Sequence, residues 1–579
     1  MPNDASSKRK NAQNMDVQQL LAQVSPERLI HDVECICTGE RLTNAAESKA
    51  LDFMAAEFEK AGCRVHRESH LAYISTPEAA FLAVNGREFE CVTHPMTPSV
   101  DHLEAPLEYV SNDRLFNLAA GSLAGRIALV HGLAVEPKVR ALQAAGALGV
   151  VFITGKLPHA MIVSKVWGAP APSTMNDYVS IPAASISTAD GDALCAQLQA
   201  GAPCTAVLET RVHTRWTDLP ILVADIPGES DDFVMITSHI DSWWLGAMDN
   251  ASGNACGLEI ARILAPLARA GKLRRGIRIV NWSGHSHGRY AGSTAYCDAH
   301  FEELEEHCVL NVNVDCLGGR GATVMTESPS MAATRRLAQR ALWEAAGVSD
   351  YAGHRYSRSC DMSFWGPRVP AVFSQVSEQP PASGASADAF AALFGGSAKS
   401  GGYGWWWHSK ADKVDALDPA FLARDVRVFL CAVWHAVADE VLPVNAAAEA
   451  MELEAELRAW QAKSDAAGGA VDLSRAIELC GKLAHALKQI DDDVEAGIAE
   501  AQDRNLITST VLRTLIPLGY VRGSIFDHDP AAASPEMPIL ADIERFQNAD
   551  EHLRNCLRIE FRRRANEIAY RLKAACAQL

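Results

Sequence analysis

Four apolar stretches, FVMITSH, IRIVNWSGH, CVLNVNVD and VPAVFSQV, recur from Leu219 onward, and the helix-patterned ACGLEIARILAPLARA lies between the first two. Continuous apolar strands that alternate with helices bury both faces of a sheet, which predicts an α/β fold with a mostly parallel sheet flanked by helices. In such sheets ligands collect outside the carboxyl ends of the strands. Each strand here delivers a polar group to that edge: FVMITS leads to His239, with Asp241 two residues on, IRIVNWSG leads to His285, and CVLNVNV leads to Asp315. Asp249, in GAMDNASG, precedes a helix at the same edge, and His408, in WWWHSKAD, comes from a late loop.

At 579 residues the chain exceeds what one hydrophobic core usually supports, so several domains are expected. Residues 16–95 alternate helical patterns (LDFMAAEFEKAG) with a short strand (CRVHRESH) and read as the first part of the α/β domain. Residues 96–215, rich in Pro, Thr, Ala and Val, read as an insert in which SLAGRIALVHG and KVRALQAAGALGVVFITG give a strand, a helix and a second strand. Residues 216–444 continue the α/β domain. From 445 to 579 the composition turns to Ala, Glu, Leu and Arg, and Leu473, Ile477, Cys480, Ala484 and Leu487 repeat at helical spacing, which predicts a helical C-terminal domain. A Pro-rich loop, GSIFDHDPAAASPEMP, interrupts it.

With 53 Lys and Arg against 71 Asp and Glu, the net charge of −18 would repel a phosphate backbone, so nucleic acid is not an expected partner. No stretch of some 18 apolar residues and no signal-peptide pattern is evident, so no membrane association is expected and the chain reads as cytoplasmic. Its fifteen cysteines are scattered, which points to reduced core thiols rather than a disulfide framework.

Histidine and carboxylate together are the donor set of zinc or a similar divalent ion, and an open coordination position then activates a water molecule. A single His or Asp at a strand end is more often a cap or a solvated side chain. Four at equivalent ends are not readily explained that way.

HIDSWWLGAMDNASGNACGLEIAR resembles the signature of the dinuclear zinc aminopeptidases and carboxypeptidases, in particular the branch of glutamate carboxypeptidase and the transferrin receptor. SLAGRIALVHG with KVRALQAAGALGVV is similar to that branch's inserted protease-associated domain, and the C-terminal helices fall where it carries a dimerisation domain. The resemblance implies a divalent metal, zinc, as one or two ions. It makes His239 and Asp315 ligands of one ion, Asp249 the bridging carboxylate and His408 a ligand of the second. Asp241 would orient His239 through its other ring nitrogen. Asp361, in CDMSFWG, matches an acidic residue of the family, and a homodimer is the implied assembly.

One departure stands out. Where the family has WxxEExG, this chain has Trp282, Ser283, Gly284, His285, Ser286, His287 and Gly288. The family's first glutamate is the general base and its second a ligand of the second ion; His285 and Ser286 hold those positions. A serine hydroxyl is a poor ligand beside a carboxylate, and neutral His285 would be base or ligand. The loop is also one residue longer than the family's, so His287 is a candidate metal ligand too.

Trp406 and Trp407, beside His408, are candidates for a substrate-binding wall, and Arg289 and Tyr290, on the histidine loop, for substrate contacts. His354, Arg355 and Arg358 read chiefly as solvated loop residues, with carboxylate binding as the alternative. The reading that follows is a metal-dependent hydrolase of a peptide or amide bond, acting on a small peptide or N-acyl substrate with His285 and Asp241 as catalytic residues. Its rivals are an inactive peptidase-like scaffold and a non-hydrolytic metalloenzyme on the same fold.

Overall fold

Phe233–His239 (β9) is buried along its whole length and lies between Gly276–Trp282 (β10) and Cys308–Asn313 (β11), parallel to both. The short strand Ala371–Val372 (β12) extends this parallel block. Helix Ser252–Arg269 covers it, and Gly257 lets the helix approach closely, because a Cβ there would meet Ile279 Cγ2 at 3.2 Å. Burial on both faces is why these strands read as unbroken apolar runs. All these statements concern residues 16–381, 401–531 and 535–579, which the computed structural model describes.

The remainder of the sheet adds antiparallel pairings to this parallel block. Arg64–Val84 (β1) and Thr205–Ile226 (β8) run antiparallel to each other, and β8 is antiparallel to β10. CRVHRESH is therefore only the start of a strand of 21 residues. Its register shifts between Pro77 and Ala79, so the proline that would end a strand sits at an irregularity and pairing resumes beyond it. The boundary expected at 215/216 falls inside β8, which passes from one part of the molecule into the other.

The insert continues the same sheet. Val100–Val110 (β4) pairs with the first half of β8, followed by Ile127–His131 (β5), Gly149–Ile153 (β6) and Ala183–Ile186 (β7), mutually parallel and fully or almost fully buried. Helix Glu136–Ala144 joins β5 to β6, the strand, helix and strand expected there. All fifteen cysteines are unbonded and most are buried.

Helices Ala446–Ala466, Ser474–Glu495, Ala501–Tyr520 and Glu551–Cys576 pack together at the C-terminus. They dock on the α/β part through Arg355, which pairs with Glu456 at 2.8 Å and donates to the Gly519 carbonyl at 2.6 Å. Arg358 donates to the Asp529 carbonyl at 3.0 Å and lies over the Trp167 and Trp365 rings. Neither arginine is a solvated loop residue, because the C-terminal elements close over both; His354 is half-buried nearby. Among the described residues no helix is long and apolar enough to cross a membrane.

Candidate active site

The carboxyl ends of β9, β10 and β11 bring His239, His285 and Asp315 together, with ligand atoms mutually within 4.8 Å. Asp249 joins them from the turn ahead of helix Ser252–Arg269. Gly253 permits that turn, since a Cβ there would stand 2.3 Å from Asn250 Oδ1 and 2.7 Å from the Val314 carbonyl. His239 Nδ1 donates to the backbone carbonyl of Asp241 at 2.9 Å, which leaves Nε2 as the outward-facing nitrogen. Nε2 lies 3.1 Å from Asp249 Oδ1 and 3.5 Å from Asp315 Oδ1. Neither contact has hydrogen-bond geometry, and both His239 Nε2 and Asp315 Oδ1 are buried without a hydrogen-bond partner. Buried polar atoms left this way are costly unless something else satisfies them. A divalent cation fits the donor set.

His408 completes the group from the opposite wall. Its Nδ1 donates to the Ala160 carbonyl at 2.8 Å while its carbonyl accepts from Ala160 N at 2.8 Å, so a segment of the insert fixes the ring. Its Nε2 stands 3.1 Å from Asp249 Oδ2. Asp249 thus faces one imidazole with each oxygen. Burial opposes its ionisation, but the two imidazoles hold its carboxyl well below the usual range. Burial likewise opposes a charge on His239, yet Asp315 and Asp249 raise its pKa well above the ordinary imidazole value. Both shifts come from carboxylates and imidazoles facing one another at close range.

Two carboxylates that the sequence reading gave other roles or passed over hold this frame. Asp412, fully buried, accepts the backbone N–H of Met248 at 2.8 Å and of Asp249 at 3.0 Å, fixing the turn that presents Asp249; burial pushes its carboxyl up to about 7. Asp241 was expected to orient His239. Its side chain is 3.8 Å from His239 Nδ1, and the backbone carbonyl does that work instead. The Asp241 carboxylate accepts His285 N at 3.1 Å and Ser286 N at 2.7 Å, capping the first turn of the histidine loop. Burial resists this charge, but the bond from His287 keeps the carboxyl well below its usual range.

The histidine loop forms the remaining edge of the site. Gly284 is left-handed (φ 84°), and a Cβ there would meet Leu219 Cδ1 at 2.6 Å. Arg289 and Tyr290 are left-handed without being glycine (φ 50° and 69°), a conformation that costs roughly 1–3 kcal/mol per residue. The turn so produced sends the two histidines in different directions. His285 lines the crevice and stacks face to face on His239, with ring centroids 3.8 Å apart and planes 11° apart. Its Nδ1 donates to Asp361 Oδ2 at 2.8 Å, so Nε2 carries the lone pair. His287 is fully buried, with Nδ1 3.2 Å from Asp241 Oδ2 and Nε2 2.8 Å from Thr43 Oγ1. Both its nitrogens are engaged within the fold, so it is not available as the metal ligand expected of it. Ser286 presents its backbone N–H to Asp241 and lines the crevice.

Thr43 and Glu47, at the start of helix Ala45–Ala61, back this loop. Glu47, almost fully buried, accepts from Thr43 N and from Ser283 Oγ, the latter at 2.9 Å, and burial raises its pKa. Nothing in the sequence pattern of that helix singles them out. Cys316 was also passed over. It follows Asp315 directly, and its thiol lies within 4.8 Å of ligand atoms of Asp249 and Asp315.

Above these groups lies a cavity of about 340 Å³. Phe116, Leu133, Met161 and Ile162 of the insert form one wall, Trp243 and Trp407 another, and Ala531 of the C-terminal part reaches its edge. Trp407 stacks on His408 at 3.6 Å. Trp406 does not line the cavity: its indole packs away from it, donating to Met248 Sδ. Arg289, Tyr290 and Arg358 do line it. Arg289 Nε is buried without a hydrogen-bond partner, and no carboxylate pairs with its guanidinium among the described residues. Burial lowers the Arg358 guanidinium to about 10.

Residues 222–433 match the model of peptidase family M28, and residues 96–194 match that of the PA domain. Over 89 residues the chain is 39% identical to a probable glutamate carboxypeptidase, VP8, of Zea mays, covering 15% of this chain and 12% of that one. Over 130 residues it is 31% identical to aminopeptidase NAALADL1 of Mus musculus, covering 22% and 17%. Both matches span less than a fifth of the relative's length. Among solved structures, an aminopeptidase from Aneurinibacillus sp. strain AM-1 superposes with a TM-score of 0.52 at 20% identity, over 73% of this chain and 96% of that one. A peptidase M28 precursor from Shewanella amazonensis gives 0.58 at 21%, over 72% and 95%. At those identities the likeness shows the fold. The chain carries a peptidase family M28 domain with a PA domain inserted into it and a helical region behind it.

Proposed function

We propose that this protein hydrolyses a peptide or amide bond in a small substrate bearing an anionic end, with His285 as the proton-transfer group. The observation that carries the proposal is the convergence of His239, Asp249, Asp315 and His408 at the floor of a cavity, with His239 Nε2 and Asp315 Oδ1 buried and without a hydrogen-bond partner. Those four residues would hold the ion or ions. When bound, a divalent cation supplies Lewis acidity toward the carbonyl and lowers the pKa of water.

The protein groups divide the remaining work. His285 lines the crevice, stacks on His239 and has its Nδ1 engaged by Asp361, so Nε2 is the atom it can offer to a reacting water. With Nδ1–H held by Asp361, Nε2 takes a proton from the attacking water and returns it to the leaving nitrogen, while Asp361 stabilises the imidazolium in between. His239, Asp249 and Asp315 form a complete three-residue set, whereas His408 and Asp249 have only Ser286 where the family has a carboxylate. This supports one tightly held ion.

The cavity supports the substrate class. Its apolar and aromatic wall takes an uncharged side chain or acyl group, and Arg289, without a carboxylate partner, takes a carboxylate. The test is metal analysis of the purified chain together with a screen of dipeptides and N-acyl amino acids, each with its amidated counterpart. Hydrolysis of the free acids in preference to the amides is expected. No hydrolysis of any member by the zinc-loaded chain would sink the proposal. A homodimer through the C-terminal helices belongs to the same reading. Met451, Leu506, Ile559 and Tyr570 are exposed there, and light scattering at micromolar concentration decides it.

A further inference from the structure

Outside the crevice, one carboxylate gathers three imidazoles. His66, Glu68 and His70 alternate along β1 and so share a face of the strand. His300 reaches the same place from the junction of helices Ala291–Ala299 and Phe301–His307. Glu68 Oε2 lies 2.9 Å from His70 Nε2 and 2.8 Å from His300 Nε2, and Glu68 Oε1 lies 3.1 Å from His66 Nε2. The ligand atoms of Glu68, His70 and His300 are mutually within 4.8 Å.

We infer that Glu68, His70 and His300 bind one divalent ion of the zinc class, at a site separate from the crevice, that ties β1 to the helical junction. Two imidazoles and a carboxylate with a fourth position open, here to His66 or to water, form a recurrent zinc donor set. Bonds of about 2.0–2.2 Å to a tetrahedral ion place donors a little over 3 Å apart, so the present separations need open by only about half an ångström. His300 also carries the outer partner that a ligating imidazole usually has: its Nδ1 lies 3.4 Å from Glu303 Oε2, and Glu303 is itself held by Arg278 at 2.8 Å. The competing account is that the histidines simply hydrogen-bond to Glu68. The two accounts differ in what they predict for metal content.

The full-length chain is dialysed against chelator-buffered Zn²⁺ and its zinc counted beside that of Glu68→Gln and of His70→Gln/His300→Gln. The unaltered chain should hold one zinc per chain more than either variant, and the Asp249→Ala chain should keep one zinc that is lost when Glu68→Gln is added. Equal counts in the unaltered chain and Glu68→Gln, or an Asp249→Ala chain without zinc, would overturn the inference. If the double histidine variant fails to fold, the Co²⁺ spectrum of the Asp249→Ala chain decides. Visible bands of tetrahedral cobalt that vanish with Glu68→Gln support the site, and a featureless spectrum contradicts it.

Discussion

The two walls of the crevice are built on different rules. On one, His239, Asp249 and Asp315 present outward oxygen and nitrogen atoms to His408 across the crevice, and a backbone carbonyl or buried carboxylate fixes His239, Asp249 and His408 from behind. On the other, Ser283–Tyr290, the side chains are divided between the crevice and the interior: His285 faces the cavity, and His287 is spent on Asp241 and Thr43. On the proposed reading, the residues that would hold an ion and the one that would move a proton are under separate constraints. The first wall needs only donor atoms at fixed points. The second must also keep one lone pair free.

The first wall breaks most severely. Asp249→Ala removes the carboxylate that faces both imidazoles, so metal content should fall to near zero at the crevice and turnover by at least about three orders of magnitude. Plasma emission analysis and kinetics on one preparation check this. On the second wall, Asp361→Asn leaves the His285 ring in place but removes the charge that supports its imidazolium; turnover should fall about tenfold to a hundredfold with metal content unchanged. Arg289→Ala should raise KM about tenfold to a hundredfold for substrates with a free carboxylate and leave amidated analogues alone, the loss of one charge-assisted contact. The smallest effect belongs to the buried histidine. His287→Gln should lower stability by about 1–3 kcal/mol, read from denaturant unfolding, with only a minor change in turnover, since it leaves Asp241 short of one partner.

The same contrast explains what was legible in the sequence. The convergence of these side chains was legible because strand-end chemistry is local: an apolar run ending in His239 or Asp315 carries its own position. The PA insert was legible for the same reason, through one strand, helix and strand. The histidine loop was only half legible. Its glycine, its length and its missing glutamates are in the sequence, but the inward turn of His287 depends on Thr43 and Glu47, some 240 residues away along the chain. Asp241 was misread because its backbone carbonyl, rather than its carboxylate, meets His239. Trp406 and Trp407 are neighbours in sequence, yet only Trp407 lines the cavity, a distinction made by Met248 packing under Trp406. β1 was read short because its outer face is polar and its continuation rests on pairing with β8. Arg355 and Arg358 were read as solvated because the segments that cover them, around Gly519 and Asp529, lie more than 160 residues further on.

The central claim is that His285 does the proton transfer. The most direct test is paired zinc content and turnover of His285→Ala on an identified substrate, beside the unaltered chain. Unchanged crevice zinc with turnover reduced about a hundredfold to ten-thousandfold is the predicted result. Unchanged zinc with undiminished turnover, or loss of zinc in step with loss of turnover, would contradict it, the first removing His285 from the chemistry and the second making it a ligand.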